Sequence, residues 1–161
     1  MESLKGLYLE EDELKLLLQE LMTLVRETVA TGQKVRYLPF RGISMLPLLR
    51  QGKDAVQLSP LPEQLKKYDL PVYRYPDGKY VMHRIVRVEN DCCICLGDNT
   101  YRYERVTREM MLGIVTAIRR GNRVISLDSV YYRAYCWIWC GLYPLRLRLW
   151  RGKNWLRRWL K

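Results

Sequence analysis

The chain has no apolar run of roughly 18 residues or more, so a conventional membrane-spanning helix is not expected. No segment recurs at a period of about 20–50 residues, which excludes solenoids and propellers. Histidine and phenylalanine occur once each in 161 residues. Cysteine is sparse and odd in number: Cys92, Cys93 and Cys95 form one group, Cys136 and Cys140 another. Such a set does not build a secreted disulfide framework. Nor does one histidine near the first group complete the four ligands of a structural zinc site, so these thiols read as small buried hydrophobes in a reducing, intracellular setting. Met1–Asp12 is acidic and lacks the apolar segment of a secretory signal. Acids are missing from one stretch altogether: Ser129–Lys161 holds eight Lys or Arg residues and no Asp or Glu.

What is present is enough for one ordinary domain with short appendages. Hydrophobic residues make up 48% and charged residues 28%, a balance that supports a packed core and excludes wholesale disorder. The net charge of +11 resembles a nucleic-acid signal until its distribution is read. The first 128 residues hold 20 bases against 17 acids, so the basicity belongs to the tail and the body is nearly balanced. No nucleic-acid partner is expected.

Three segments follow, 1–32, 33–128 and 129–161. In the first, the spacing predicts an amphipathic docking helix over residues 9–31, with Leu14, Leu17, Leu18, Leu21, Leu24, Val25 and Val29 on one stripe. Glu10, Glu11, Asp12 and Glu13 complement the dipole of its first turn, and Gly32 stops it. The second segment carries short β-rich runs: Val35–Phe40, Ala55–Leu58, Asp69–Tyr75, Tyr80–Val88, Cys92–Leu96, Gly113–Arg119 and Arg123–Ser126. Pro76-Asp77-Gly78 and Gly121-Asn122 supply turns between runs. A Pro-, Leu- and Lys-rich loop, Ser59–Tyr68, crosses over in the middle. The pattern predicts a mainly β domain of six or seven mostly antiparallel strands.

The third segment is helical, broken by Gly141 and Pro144. All five tryptophans lie here, interleaved with arginines. Its uncharged stretch, Ala134–Leu145, would extend about 18 Å as helix, short of a roughly 30 Å hydrocarbon core. Trp137, Trp139, Arg146, Arg148, Trp150, Trp155, Arg157, Arg158 and Trp159 suit an anionic bilayer surface, rings at headgroup depth and guanidinium groups at the phosphates. The plainer alternative is a helix packed on its own β domain with a basic outer face; a nucleic-acid-binding tail is the third.

Three short segments can carry chemistry. Gly42-Ile43-Ser44-Met45-Leu46-Pro47 follows the first strand and can present a serine hydroxyl in a turn. Val81-Met82-His83-Arg84-Ile85-Val86 places the only histidine in an apolar strand, where a partly desolvated imidazole works as a base near neutral pH. Leu96-Gly97-Asp98-Asn99 puts an acid in a turn at a strand end. Singly these read as an ordinary turn, a satisfied core histidine and an Asx turn.

Their order is more specific. Ser-x-x-Pro, then Tyr68-Asp69-Leu70-Pro71-Val72, His-Arg-Ile-Val, Gly-Asp-Asn and Leu112-Gly113-Ile114-Val115 resemble the signal peptidase I family of the S24/S26 serine peptidases, over about Phe40–Ile118. The resemblance implies a coiled antiparallel β-sheet peptidase domain of the signal peptidase and repressor-autoprotease type. It makes Ser44 the nucleophile, with Gly42 and Met45 as oxyanion and substrate-binding positions. His83 stands where the usual bacterial enzymes carry lysine, so the chain resembles the Ser-His subgroup of archaeal and endoplasmic-reticulum enzymes. Asp98, in the preserved Gly-Asp-Asn box, is the expected third member; Glu104, where those relatives carry another aspartate, is the alternative. No metal or cofactor enters this expectation.

The implied activity is that of a serine endopeptidase cleaving a leader or signal segment from a peptide or precursor protein near a membrane, with His83 passing the Ser44 proton to the leaving amine. The family's usual N-terminal span has no counterpart in the charged first helix. A basic tail on the cytoplasmic leaflet would leave the site on the cytoplasmic side. Two other readings keep the fold: an inactive membrane-surface module, and a self-cleaving regulator. The second is disfavoured because the chain has no Ala-Gly dipeptide and too short an N-terminal segment for a DNA-binding domain.

Overall fold

A computed structural model describes residues 11–159. Among the described residues, nine strands, three helices and a short 3-10 turn follow in chain order: α1 (Glu11–Ala30), β1 (Val35–Leu38), β2 (Asp54–Ser59), β3 (Pro71–Arg74), β4 (Tyr80–Met82), β5 (Arg84–Val88), β6 (Cys93–Leu96), β7 (Glu104–Val106), β8 (Met111–Arg120), β9 (Arg123–Ser126), α2 (Val130–Gly141) and α3 (Tyr143–Trp159). The protein is mainly antiparallel β with a helical C-terminal part. β7 was not anticipated by the sequence pattern, being three residues long.

Two sheets divide the strands. The large one runs β1-β2-β8-β3-β4, and β9 also pairs with β8. Its spine is β8: β2 lies along one edge, while β3 pairs with Met111–Ile114 and β9 with Ala117–Arg120. The side chains of β8 alternate between buried and half-buried over most of its length, the period-2 signature of a strand with one face on a core. The small sheet is β5-β6-β7, and every residue of Cys93–Leu96 in its middle strand is buried.

Two apolar clusters result. The larger gathers Val25 and Val29 of α1, Met45 and Leu49, Val56, Leu58, Val72, Val115 and Ile118 of the large sheet, and Tyr132 and Cys136 of α2. The smaller packs Tyr73, Ile85, Cys93, Cys95, Val106 and Met111. Each fully buried aliphatic or aromatic side chain contributes about 1.5–3 kcal/mol of transfer free energy. All five cysteines are free thiols, four of them buried, and Cys93, Cys95 and Cys136 serve as core residues.

Three expectations are corrected. The stripe on the first helix is buried only at its C-terminal end: Val25 and Val29 pack on the large sheet, whereas Leu17, Leu21 and Leu24 are exposed. Glu10 and the side chains of Glu11, Asp12, Glu13, Leu14 and Leu18 lie outside the described residues. Tyr80–Val88 is not one strand: the chain leaves the large sheet after Met82 and enters the small one at Arg84, with His83 as the joint. In the tail, Trp139 and Arg146 turn inward onto the β domain, donating to the Asp98 carbonyl at 3.0 and 2.5 Å, instead of facing outward. Among the described residues no helix is long and apolar enough to cross a membrane.

Candidate active site

His83 occupies the crossing between the sheets and is 5% exposed. Its Nδ1 lies 2.8 Å from Glu104 Oε2 on β7. The Tyr73 hydroxyl, on β3, donates to the same carboxylate oxygen and lies 3.2 Å from Nδ1. With Nδ1–H donating to Glu104, the neutral ring carries its lone pair on Nε2. That atom is buried and has no hydrogen-bond partner. A base oriented by a carboxylate, with its acceptor nitrogen unengaged, is the arrangement that general-base chemistry requires.

Burial alone would raise the Glu104 pKa, but hydrogen bonds from His83, Tyr73 and Tyr75 and the His83 charge outweigh it, holding the carboxyl at about 2. Burial, reinforced by the Glu104 carboxylate, drives the Tyr73 phenol far above its ordinary value, so this hydroxyl remains a donor. Glu104 is therefore a carboxylate at neutral pH, and Tyr73 fixes its rotamer against the imidazole.

Ser44 is half-buried, in the turn that follows β1. Two features set its position. Arg50 and Arg120 both bind the buried Asp54 carboxylate, and Arg120 also donates to the Leu48 carbonyl, pinning the far end of the loop to β2 and β8. At the near end the Asn99 N–H donates to the Ser44 carbonyl at 2.7 Å, and the Asn99 side-chain amide donates to the Ile43 carbonyl at 3.2 Å. Gly97 permits this contact, because a Cβ there would lie 2.8 Å from the Ser44 carbonyl oxygen.

Arg84 is opposite Leu96 at the end of the β5–β6 pairing; His83 precedes the one residue and Gly97, against which Ser44 rests, follows the other. No hydrogen bond joins Ser44 Oγ to His83 Nε2.

Asp98, the expected third member, is engaged elsewhere. It forms a bidentate pair with Arg84, Nε to Oδ1 at 2.9 Å and Nη2 to Oδ2 at 2.7 Å, and accepts from the Tyr135 hydroxyl at 2.9 Å. Asp98 lies in the turn beyond β6 and goes to Arg84, which pairs with Leu96, whereas Ile85, Cys95 and Glu104 form one row across the small sheet. The carboxylate beside the imidazole is thus Glu104. Gly42, expected to help an oxyanion, has φ +111° and donates its N–H to Gln51 Oε1 at 2.7 Å, so that donor is already taken. The Met45 side chain is 3% exposed and belongs to the larger core.

Tyr73 is the site residue that sequence reading missed. A signal for it existed: the Pro76-Asp77-Gly78 turn closes a β3–β4 hairpin in which Val72 faces Met82, so Pro71 faces His83 and Tyr73 is its diagonal neighbour on the same face.

The Gly97-Asp98-Asn99 turn is held from behind by the tail, through Tyr135, Trp139 and Arg146 on Asp98. Ser129 caps α2 by accepting from the Tyr132 N–H. Arg84 donates to the Tyr132 hydroxyl at 2.6 Å and to Cys136 Sγ at 2.7 Å, and the Tyr132 hydroxyl donates to the Tyr68 carbonyl at 3.0 Å. Outward, Trp137, Ile138, Leu145, Leu149, Trp150 and Trp155 are exposed beside the exposed Arg148. The side chains of Arg157, Arg158 and Trp159 lie outside the described residues. Comparison of the chain with protein-family models, with curated proteins and with solved structures found no match in any of the three.

Proposed function

We propose that the protein is a serine endopeptidase of the signal peptidase I type, with a Ser44–His83–Glu104 constellation, that removes a leader segment from a peptide or precursor protein at a membrane surface. The observation that carries this reading is the His83–Glu104 pair, 2.8 Å long, with Nε2 buried and unengaged. The order of motifs along the chain supports it, as does the antiparallel β architecture with the coiled peptidase topology it would imply.

In this mechanism Ser44 Oγ attacks the scissile carbonyl while His83 Nε2 takes its proton. Glu104 stabilises the resulting imidazolium, and the Ser44 N–H stabilises the oxyanion. His83 returns the proton to the leaving amine, and a water, deprotonated by the same nitrogen, hydrolyses the acyl-enzyme. The exposed tryptophans and arginine of the tail favour peripheral attachment to an anionic, cytoplasmic leaflet.

The test is labelling of the full chain with a fluorophosphonate in the presence of anionic vesicles. Wild type is labelled, and Ser44→Ala, His83→Ala and Glu104→Gln are not. Folded wild type that resists the reagent, or a Ser44→Ala variant labelled equally, overturns the proposal. The missing Ser44–His83 hydrogen bond favours one other reading, a membrane-surface module of the same fold without activity, and the unlabelled outcome would select it.

A further inference from the structure

A cavity of about 170 Å³ is bounded by β5, β6 and the α2–α3 junction. Lys67, Arg84, Asp98, Trp139, Tyr143 and Arg146 contribute to its lining. Three of these are cations and one is an anion. Arg84 and Asp98 neutralise each other in their bidentate pair, leaving Lys67 and Arg146, which have no carboxylate partner among the described residues.

Arg146 is only partly satisfied. Its Nη1 donates to the Asp98 carbonyl and its Nη2 to the Trp139 carbonyl, but carbonyl oxygens do not neutralise a guanidinium. Its Nε is buried and without an acceptor. The guanidinium lies 4.2 Å from the Trp139 ring centre and 5.8 Å from that of Tyr143, ring faces that attract the cation but supply no counter-charge.

The chemistry that fits is an anion with several acceptor oxygens and up to two charges. We propose that this cavity is a phosphate site, in which Lys67 and Arg146 hold the phosphate group of a soluble phosphate ester or of a lipid headgroup. A tetrahedral phosphate accepts from the Lys67 ammonium and meets the charge of Arg146 in the cavity wall, matching two cations that have no carboxylate partner. Because Arg146 also grips the Asp98 carbonyl, and Gly97 and Asn99 on either side of Asp98 hold Ser44, an occupied site braces the Ser44 turn from behind. The site stands independently of the peptidase reading, since its test reads binding and not hydrolysis.

The experiment uses the full chain, with inorganic phosphate and glycerol 1-phosphate titrated by calorimetry at constant ionic strength. Flotation with phosphatidylcholine vesicles, with and without phosphatidic acid, runs in parallel. Arg146→Met risks the fold through Asp98, so exposed Lys67 provides the second variant, Lys67→Met. Soluble probes that bind wild type, and bind Lys67→Met about tenfold more weakly or worse, establish the site with a free phosphate ester as ligand. Silence with soluble probes but flotation that needs phosphatidic acid and Lys67 assigns it to a lipid headgroup. Equal binding by wild type and both variants, or no binding to any probe, overturns the proposal.

Discussion

Replacing Asp98 by asparagine separates a structural carboxylate from a catalytic one. The Asp98 side chain is 2% exposed and its partner Arg84 is 0% exposed, so the variant leaves a guanidinium charge buried without a counter-charge. Removing one member of a buried, hydrogen-bonded pair costs about 3–5 kcal/mol. At roughly 2–4 °C per kcal/mol for a domain of this size, Tm falls by about 6–20 °C, measured by circular dichroism or calorimetry. Below that lowered Tm the folded Asp98→Asn protein still reacts with fluorophosphonate, because His83 keeps Glu104. Glu104→Gln behaves in the opposite way: its amide replaces the acceptor of Nδ1–H, and reactivity drops by a factor on the order of 10⁴. The double variant Arg84→Met/Asp98→Leu, which removes both charges, loses less stability than either single change. An Asp98→Asn protein with unchanged Tm and no labelling would make Asp98, and not Glu104, the partner of the base.

Other perturbations test the remaining joints. Glu104 has a folded pKa of about 2, below its unfolded value, so its contribution to stability is complete above about pH 5 and is lost as pH falls toward 2. Tm measured against pH should fall more steeply over that range for wild type than for Glu104→Gln, and parallel curves would contradict the assignment. Gly97→Ala drives a methyl to 2.8 Å from the Ser44 carbonyl, and is expected to cost about 1–3 kcal/mol and to displace Ser44, abolishing labelling; normal labelling at normal Tm would show the turn is looser than described. Tyr73→Phe removes one donor to Glu104, which raises the carboxyl pKa and moves the acid fall of the Tm–pH curve to higher pH, and an unmoved curve would remove Tyr73 from the site.

Much of the frame was legible in the residues. Alternating apolar positions and the Asp-Gly and Gly-Asn turns located most strands, and Arg123–Ser126 was delimited to the residue. Gly32 and the broken tail marked the ends of the helices. The single histidine and the Ser-x-x-Pro turn were conspicuous, and the fold sets the histidine against Glu104 and the serine against Gly97. What misled was local likeness. Asp98 sits in a motif that suggests catalysis, yet motif membership carries no information about which face of a strand a side chain leaves. The first-helix stripe had the right spacing, but spacing does not say how much of a helix a sheet can cover.

Sequence by itself therefore determined the chemical inventory, the β-rich body, the acid-free basic tail and the order of the candidate motifs, because propensity, periodicity and charge act over a few neighbouring residues. Tertiary structure alone decided that Tyr80–Val88 splits between two sheets at His83, that Glu104 and Tyr73 meet the imidazole, and that Asp98 goes to Arg84 under the tail helix. Those outcomes rest on register and facing across strands distant in sequence. A shift of one residue in that pairing would exchange the two carboxylates' faces, and only the packing of both cores fixes it.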